Sequence, residues 1–186
     1  MKVVYTDRHR AHIPGDVVEN GLARPSRDVP EKMDALLRAV HSPGHDVVDD
    51  HGTSALAAVH SKAYLEFLST VHRDWQRLGL AGPLVPAVFE ARSESYRADW
   101  SPIAKSGFHL RDQITPISEG TWTAAYWAAQ TALTAASLIK EGEQQAYALC
   151  RPSGHHAGPD FGGGATYPNN AAMPHGSLPG ISVASR

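Results

Sequence analysis

Apolar positions follow two different periods along this chain, and long stretches follow neither. Lys2–Thr6 opens with the β-branched pair Val3 and Val4 beside Tyr5 and reads as a short strand. Residues 7–29 are turn-rich and read as a loop. Pro30 then stands where a helix begins, with Met33, Leu36, Leu37 and Val40 at helical spacing and Ser42-Pro43-Gly44 as the stop. Asp46–Asp50 reads as a further short strand. The strongest helical stripe is Tyr64, Phe67, Leu68, Val71, Trp75 and Leu78, which predicts a helix over Ser61–Leu78 ended by Gly79. Residues 80–117 carry Pro83, Pro86, Pro102 and Pro116 and no dominant period, so they read as a long irregular excursion of the kind that is usually functional or disordered.

From Ser118, the expected N-cap, to Lys140 the chain is rich in alanine. Trp122, Ala125, Ala129, Ala132, Ala136 and Ile139 share a face of mostly small side chains, which suits close packing on a sheet or another helix. Gly142 is placed to cap it. Gln145–Cys150 alternates as a strand. The order strand, helices, long loop, helix, strand, loop predicts an α/β fold with a parallel sheet. In such folds chemistry gathers beyond the carboxyl ends of strands, which directs attention to the loop after Cys150.

Composition narrows the class without deciding it. The 186 residues suffice for one domain with a real core, and 42% hydrophobic with 19% charged residues is ordinary for a globular protein. A net charge of -2 without a basic stripe gives no nucleic-acid or membrane-surface footprint. Neither an N-terminal apolar leader nor a run of about 18 apolar residues is present, and a single cysteine, Cys150, suits a reducing compartment. The expectation is a cytoplasmic protein with no nucleic-acid or membrane partner.

Residues 151–170 read RPSGHHAGPDFGGGATYPNN. His155 and His156 lie between glycines, and imidazole titrates near neutrality, which suits proton transfer. Gly162, Gly163 and Gly164 leave room for close backbone approach. Two bland alternatives stand beside this: a solvated histidine pair and a plain glycine turn. A metal site is disfavoured, because adjacent residues seldom aim at one ion and neither HExxH nor CxxC spacing occurs. An anion-binding glycine nest is weaker still, because the loop contains no lysine.

Further segments lend the loop a family context. RPSGHHAG, the glycine run and Asn169-Asn170-Ala171-Ala172 resemble the zinc-dependent histone deacetylases, especially the bacterial acetylpolyamine amidohydrolases. So do His60-Ser61-Lys62-Ala63-Tyr64-Leu65-Glu66-Phe67-Leu68, Asp112-Gln113-Ile114-Thr115-Pro116-Ile117 and Gly120-Thr121-Trp122, so the resemblance spans residues 1–172. It implies a parallel-sheet arginase/deacetylase-like fold, incomplete at its C-terminal side. It also implies a zinc that polarises an acetamide carbonyl and activates water. His156 would be the general base and His155 its electrostatic partner. Asp112, on the rim, and Gly164 would contact substrate, a small acetylated amine such as an acetylpolyamine or an acetyl-lysine-like group. The resemblance also allows a homodimer through the 80–117 loop.

The pattern also departs from that family. The metal ligands it implies lie in a later D-x-H-H-G-N-G segment and a more distal Asp, and the oxyanion-stabilising Tyr lies beyond them; none of these occurs here, so no residue of this chain is assigned to metal. Residues 173–186, MPHGSLPGISVASR, cannot continue a helix through Pro174, Gly176, Pro179 and Gly180 and read as an aberrant, disordered tail, as from a frameshift or a truncated product. Ala165 and Thr166 replace an aromatic and a Cys, and Ala165 would open one wall of the channel. Two functions follow as expectations. One is a deacetylase family member inactive as this chain alone; the other is a degenerate, non-enzymatic domain that binds an acyl amine or a partner.

Other residues read more quietly. His60, on a helix beside an apolar stripe, reads as structural, and His41, His45, His51 and His72 as surface. Cys150 reads as a buried thiol and Trp75, Trp122 and Tyr126 as packing residues. Tyr96 and Trp100 could line a channel or a subunit contact. Glu90, Glu94 and Asp99 read as solvated, or as attracting a cationic amine.

Overall fold

The computed structural model of the chain describes residues 1–40, 47–90 and 95–173. β1 (Lys2–Val4) pairs in parallel with β4 (Ala146–Ala148), with Val3 opposite Tyr147. The parallel α/β arrangement expected from the element order is therefore present. Parallel strands need a crossover, and here most of the chain supplies it. The long helix α5 (Thr121–Lys140) packs across both strands and the 3-10 turn Asp7–Ala11. Alanine explains the fit: Ala124, Ala125, Ala128, Ala129, Ala132, Ala135 and Ala136 are all buried, so the helix backbone can approach the sheet closely.

Helix α3 (Lys62–Arg77) follows its predicted stripe. Ser61 caps it through the Tyr64 N–H, and Gly79, at φ +75°, lets the chain leave. Tyr64, Phe67, Leu68 and Val71 are buried with Leu84, Leu110, Ile117 and Tyr167 in one core cluster; Leu78, at the end of the stripe, is exposed. A second cluster joins Val3, Tyr5 and Leu149 from the strand segments to Met33 of α1 (Glu31–Ala39). A third joins Leu56 of α2 (Ser54–Val59) to Ala129, Leu133 and Met173.

Several sequence expectations need correction. Residues 7–29 contain the 3-10 turn and an antiparallel hairpin, β2 (Asp16–Glu19) with β3 (Leu22–Pro25), turned by Asn20 and Gly21, both at positive φ. The hairpin strands are short and largely exposed, so they carry no apolar alternation to read. Val47–Asp50 is not a strand: this segment instead docks on α5, where the Thr134 hydroxyl accepts from Asp49 N–H and the Gln130 amide oxygen from His51 N–H. Within 80–117 lies α4 (Pro102–His109), capped by Ser101 with Pro102 at its first turn. At eight residues it is too short to show a period. α5 begins at Thr121 rather than after Ser118, and β4 is three residues instead of six because Cys150 already turns back to Ala148. Leu36 of the α1 stripe faces solvent.

The expected helix stop at Ser42-Pro43-Gly44, His41, His45, Asp46 and Glu94 lie outside the described residues. So does the expected tail from Pro174 onward, while Met173 is buried in the third cluster. No helix among the described residues is long and apolar enough to cross a membrane.

Candidate active site

The chain leaves β4 through Leu149 and Cys150 and enters the histidine loop at the carboxyl end of the sheet. Arg151 anchors that entry. Its side chain is 2% exposed, and its guanidinium donates to the carbonyls of His9 (2.8 Å), His12 (2.9 Å) and Asp28 (2.6 Å). Its Nε lies 3.3 Å from Asp28 Oδ1, at ion-pair distance but without hydrogen-bond alignment. Burial pulls the guanidinium below its usual range, and the nearby Asp28 opposes that pull. Around it, His12 is pushed down to about 3 and His9 to about 4, first by burial and next by the Arg151 charge.

From there the loop closes on itself. Asn170 Nδ2 donates to Pro152 O and Asn169 Nδ2 to Ala157 O. A Cβ on Gly154 would collide with the backbone of Pro168 and Asn170, so the start of the loop lies directly against its end. Gly162 N–H donates to His109 O, and Arg111 N–H to Gly162 O, which zips the middle of the loop to the end of α4. The Arg111 guanidinium stacks 3.4 Å above the Phe161 ring.

Gly163–Thr166 is a tight turn, closed by Thr166 N–H to Gly163 O at 3.0 Å. Its central residues, Gly164 at φ +60° and Ala165 at φ +58°, are both left-handed, as in a type I′ turn. The Asp-Gln-Ile-Thr segment grips that turn. Asp112 Oδ2 accepts from Gly164 N–H (2.6 Å), while Oδ1 accepts from Ile114 N–H (3.0 Å) and the Thr115 hydroxyl (2.7 Å). Thr115 Oγ1 in turn accepts from Ala165 N–H at 2.9 Å.

The four sequence-selected residues are thereby brought together. The His156 ring lies so close to Gly164 that a Cβ there would sit 2.6 Å from His156 Cδ2. The His155 and His156 rings are 4.1 Å apart, tilted by 45°, and both residues are exposed. Asp112 reaches the pair through Gly164. Ala165 opens onto a cavity of about 200 Å³, lined also by Val17, Arg24, Arg27, Asp28 and Ile114.

Thr115 and Tyr64 are site residues that sequence reading missed. The Asp-x-x-Thr spacing was the available signal for Thr115, because such side chains commonly bond a neighbouring turn. Tyr64, read as part of a stripe and of the family-like segment but given no role, uses its hydroxyl: it donates to Tyr167 O at 3.1 Å, and the Tyr167 hydroxyl donates to Pro116 O. Burial pushes both phenols well above their ordinary value.

Other candidates fall outside the site. The Cys150 thiol donates to Ala128 O, and burial pushes it up to about 12, which leaves no thiolate for nucleophilic work. Tyr96 and Trp100 pack with Phe108 and His109 in an aromatic cluster, and Asp99 pairs with Arg97. Among the described residues, no group of three or more His, Cys, Asp or Glu could hold a metal ion.

The chain has clear relatives. Residues 27–175 match the histone deacetylase domain family. The acetylpolyamine amidohydrolase of Burkholderia pseudomallei is 40% identical over 166 residues, 87% of this chain and 48% of the relative. Acetylpolyamine amidohydrolase 1 of Pseudomonas aeruginosa is 39% identical over 93% of this chain and 51% of its own length. A crystal structure of the Burkholderia acetylpolyamine aminohydrolase superposes with a TM-score of 0.87 at 38% identity, covering 95% of this chain and 52% of that one. The chain thus spans about half the length of the curated relatives it matches.

Proposed function

The chain belongs to the histone deacetylase domain family, and from that premise we propose that its 151–170 loop is the proton-transfer arm of an amidohydrolase acting on small acetylated amines, acetylpolyamines above all. The observation that carries the proposal is the seating of His156. Its ring lies against Gly164, whose N–H is held by Asp112, so a loop turn fixed from behind presents an exposed imidazole. In this reading His156 accepts the proton of the attacking water, and His155 beside it steadies the charge that results. Gly164, lacking a side chain, and Asp112, on the rim, border the path by which substrate arrives.

Zinc is implied by the family resemblance, but the described residues of this chain do not fit it: the paired imidazoles have no third ligand group beside them. The proposal therefore assigns proton transfer and loop positioning to this chain and no metal step. The exposed Val88 and Phe89 on the 80–117 excursion support a second element of the proposal, a pair of chains meeting through that excursion.

A chimera tests the catalytic assignment. Residues 1–173 fused to the distal half of the Burkholderia relative should release acetate from an N-acetylated diamine. His156→Ala should lower kcat by about 10²–10⁴-fold, the usual contribution of a positioned acid or base. A chimera that turns over equally well with alanine at 156 would refute the assignment. The unfused chain is expected to release acetate at background rate with or without added zinc; zinc-dependent release by it, abolished by His156→Ala, would overturn the division of labour.

A further inference from the structure

The turn leading into α3 meets the histidine loop at three places. Ser61 N–H donates to Pro159 O at 2.8 Å. The Tyr64 hydroxyl donates to Tyr167 O at 3.1 Å. Between them His60, 3% exposed, accepts at Nε2 from Asn169 N–H at 2.9 Å. These three contacts hold the loop after its histidines, at residues 159, 167 and 169, and all come from the five residues 60–64 that lead into and open α3. His60 also packs against the Tyr64 ring, with centroids 5.4 Å apart.

The acceptor role fixes the chemistry of His60. A nitrogen that accepts cannot carry the proton, so the ring is the neutral Nδ1–H tautomer. Burial favours the same neutral form and pulls the ring below its ordinary value, while the backbone of Pro159 and Gly158 partly opposes that pull. Nδ1 itself makes no aligned hydrogen bond. The aligned hydrogen bond of this buried imidazole is the one it accepts from the backbone of Asn169. The Asn169 side chain then bonds Ala157 O, the carbonyl directly after His156. A side chain kept only to fill space would not need a nitrogen at that point.

We infer that His60 is a positioning residue for the histidine loop: its Nε2 holds the Asn169 backbone, and through the Asn169 amide it sets where His155 and His156 stand. The catalytic consequence rests on the reading of His156 as proton acceptor, but the clamp itself is measurable without turnover.

Two substitutions of similar polarity separate clamping from filling. In His60→Gln the amide oxygen reaches roughly where Nε2 stands; in His60→Asn it stops near Nδ1 and cannot accept from Asn169. Amide hydrogen exchange on the purified chain reads the result. We expect His60→Gln to keep Asn169 protection within about threefold of wild type. We expect His60→Asn to lose about tenfold, the worth of one ordinary hydrogen bond. The amides of Leu68 and Val71 in α3 should be unchanged in both variants. The His156 ring resonances should move in the Asn variant and stay in place in the Gln variant. Equal exchange at Asn169 in the two variants, whether both protected or both exposed, would overturn the inference. So would a loss in the Asn variant that spreads equally into α3. An inactive His156 assignment with an intact Gln/Asn contrast would instead sink the catalytic reading and leave the clamp standing.

Discussion

Removing the Arg151 guanidinium tests whether the loop's anchor is worth what its contacts imply. Arg151→Met keeps the aliphatic stem and deletes the head group. The carbonyls of His9, His12 and Asp28 then lose donors at 2.8, 2.9 and 2.6 Å, and the Asp28 carboxylate loses a cation 3.3 Å away. Hydrogen bonds to a charged group contribute roughly 1.5–3 kcal/mol each, and the desolvation of a buried cation offsets much of that sum. Breaking a buried charge cluster by removing one partner typically costs about 3–5 kcal/mol. Asp28 softens the loss, because its carboxyl also lies 3.5 Å from the Lys32 ammonium and retains some solvent contact. We therefore expect a loss of about 3–4 kcal/mol.

With a urea dependence of roughly 2 kcal/mol per molar, that loss moves the unfolding midpoint down by about 2 M with an unchanged slope. Arg151→Lys should fall between wild type and Met, because one ammonium cannot face three carbonyls in different directions. Pairing Arg151→Met with Asp28→Asn should cost less than the sum of the two single losses, because both changes remove the same Arg151–Asp28 charge pair. A loss below about 1 kcal/mol for Arg151→Met, or strict additivity in the double variant, would refute the view that this buried head group organises the loop entrance.

Two further outcomes follow from the same region. His9 and His12 are held down to about 4 and about 3, so between pH 6.5 and those values the unfolded chain binds protons that the folded chain refuses. Their contribution is complete above pH 6.5 and is lost as pH falls through that window, by about 1.4 kcal/mol per unit for each residue; urea midpoints that stay flat between pH 6.5 and 5 would contradict it. Ala165 occupies a left-handed position that costs an L residue about 1 kcal/mol, so Ala165→Gly should raise the urea midpoint by up to about 0.5 M, and a fall would show that the side chain's packing outweighs the backbone strain.

What could be read from the sequence divides along physical lines. The α3 stripe was legible because Tyr64, Phe67, Leu68 and Val71 recur at helical spacing within a sixteen-residue helix and bury one face. A parallel sheet was legible from element order, although which strands pair, β1 with β4, was not. The histidine loop stood out because its residue types announce chemistry, and the structure places His155, His156, Asp112 and Gly164 together. What escaped was local structure without an apolar period and most contacts between partners distant in sequence. The hairpin of β2 and β3 is too exposed to pattern, and α4 is too short to repeat. Thr115 shows its use only when Ala165 N–H, fifty residues away, meets its hydroxyl. His60 looked structural, and it is buried as a structural residue would be; its polarity makes sense only once Asn169 N–H lies on Nε2. Periodicity reports which faces are apolar and says nothing of which buried polar atom meets which. A polar residue beside an apolar stripe is therefore where a reading by pattern should stop and the geometry of the loop it touches should take over.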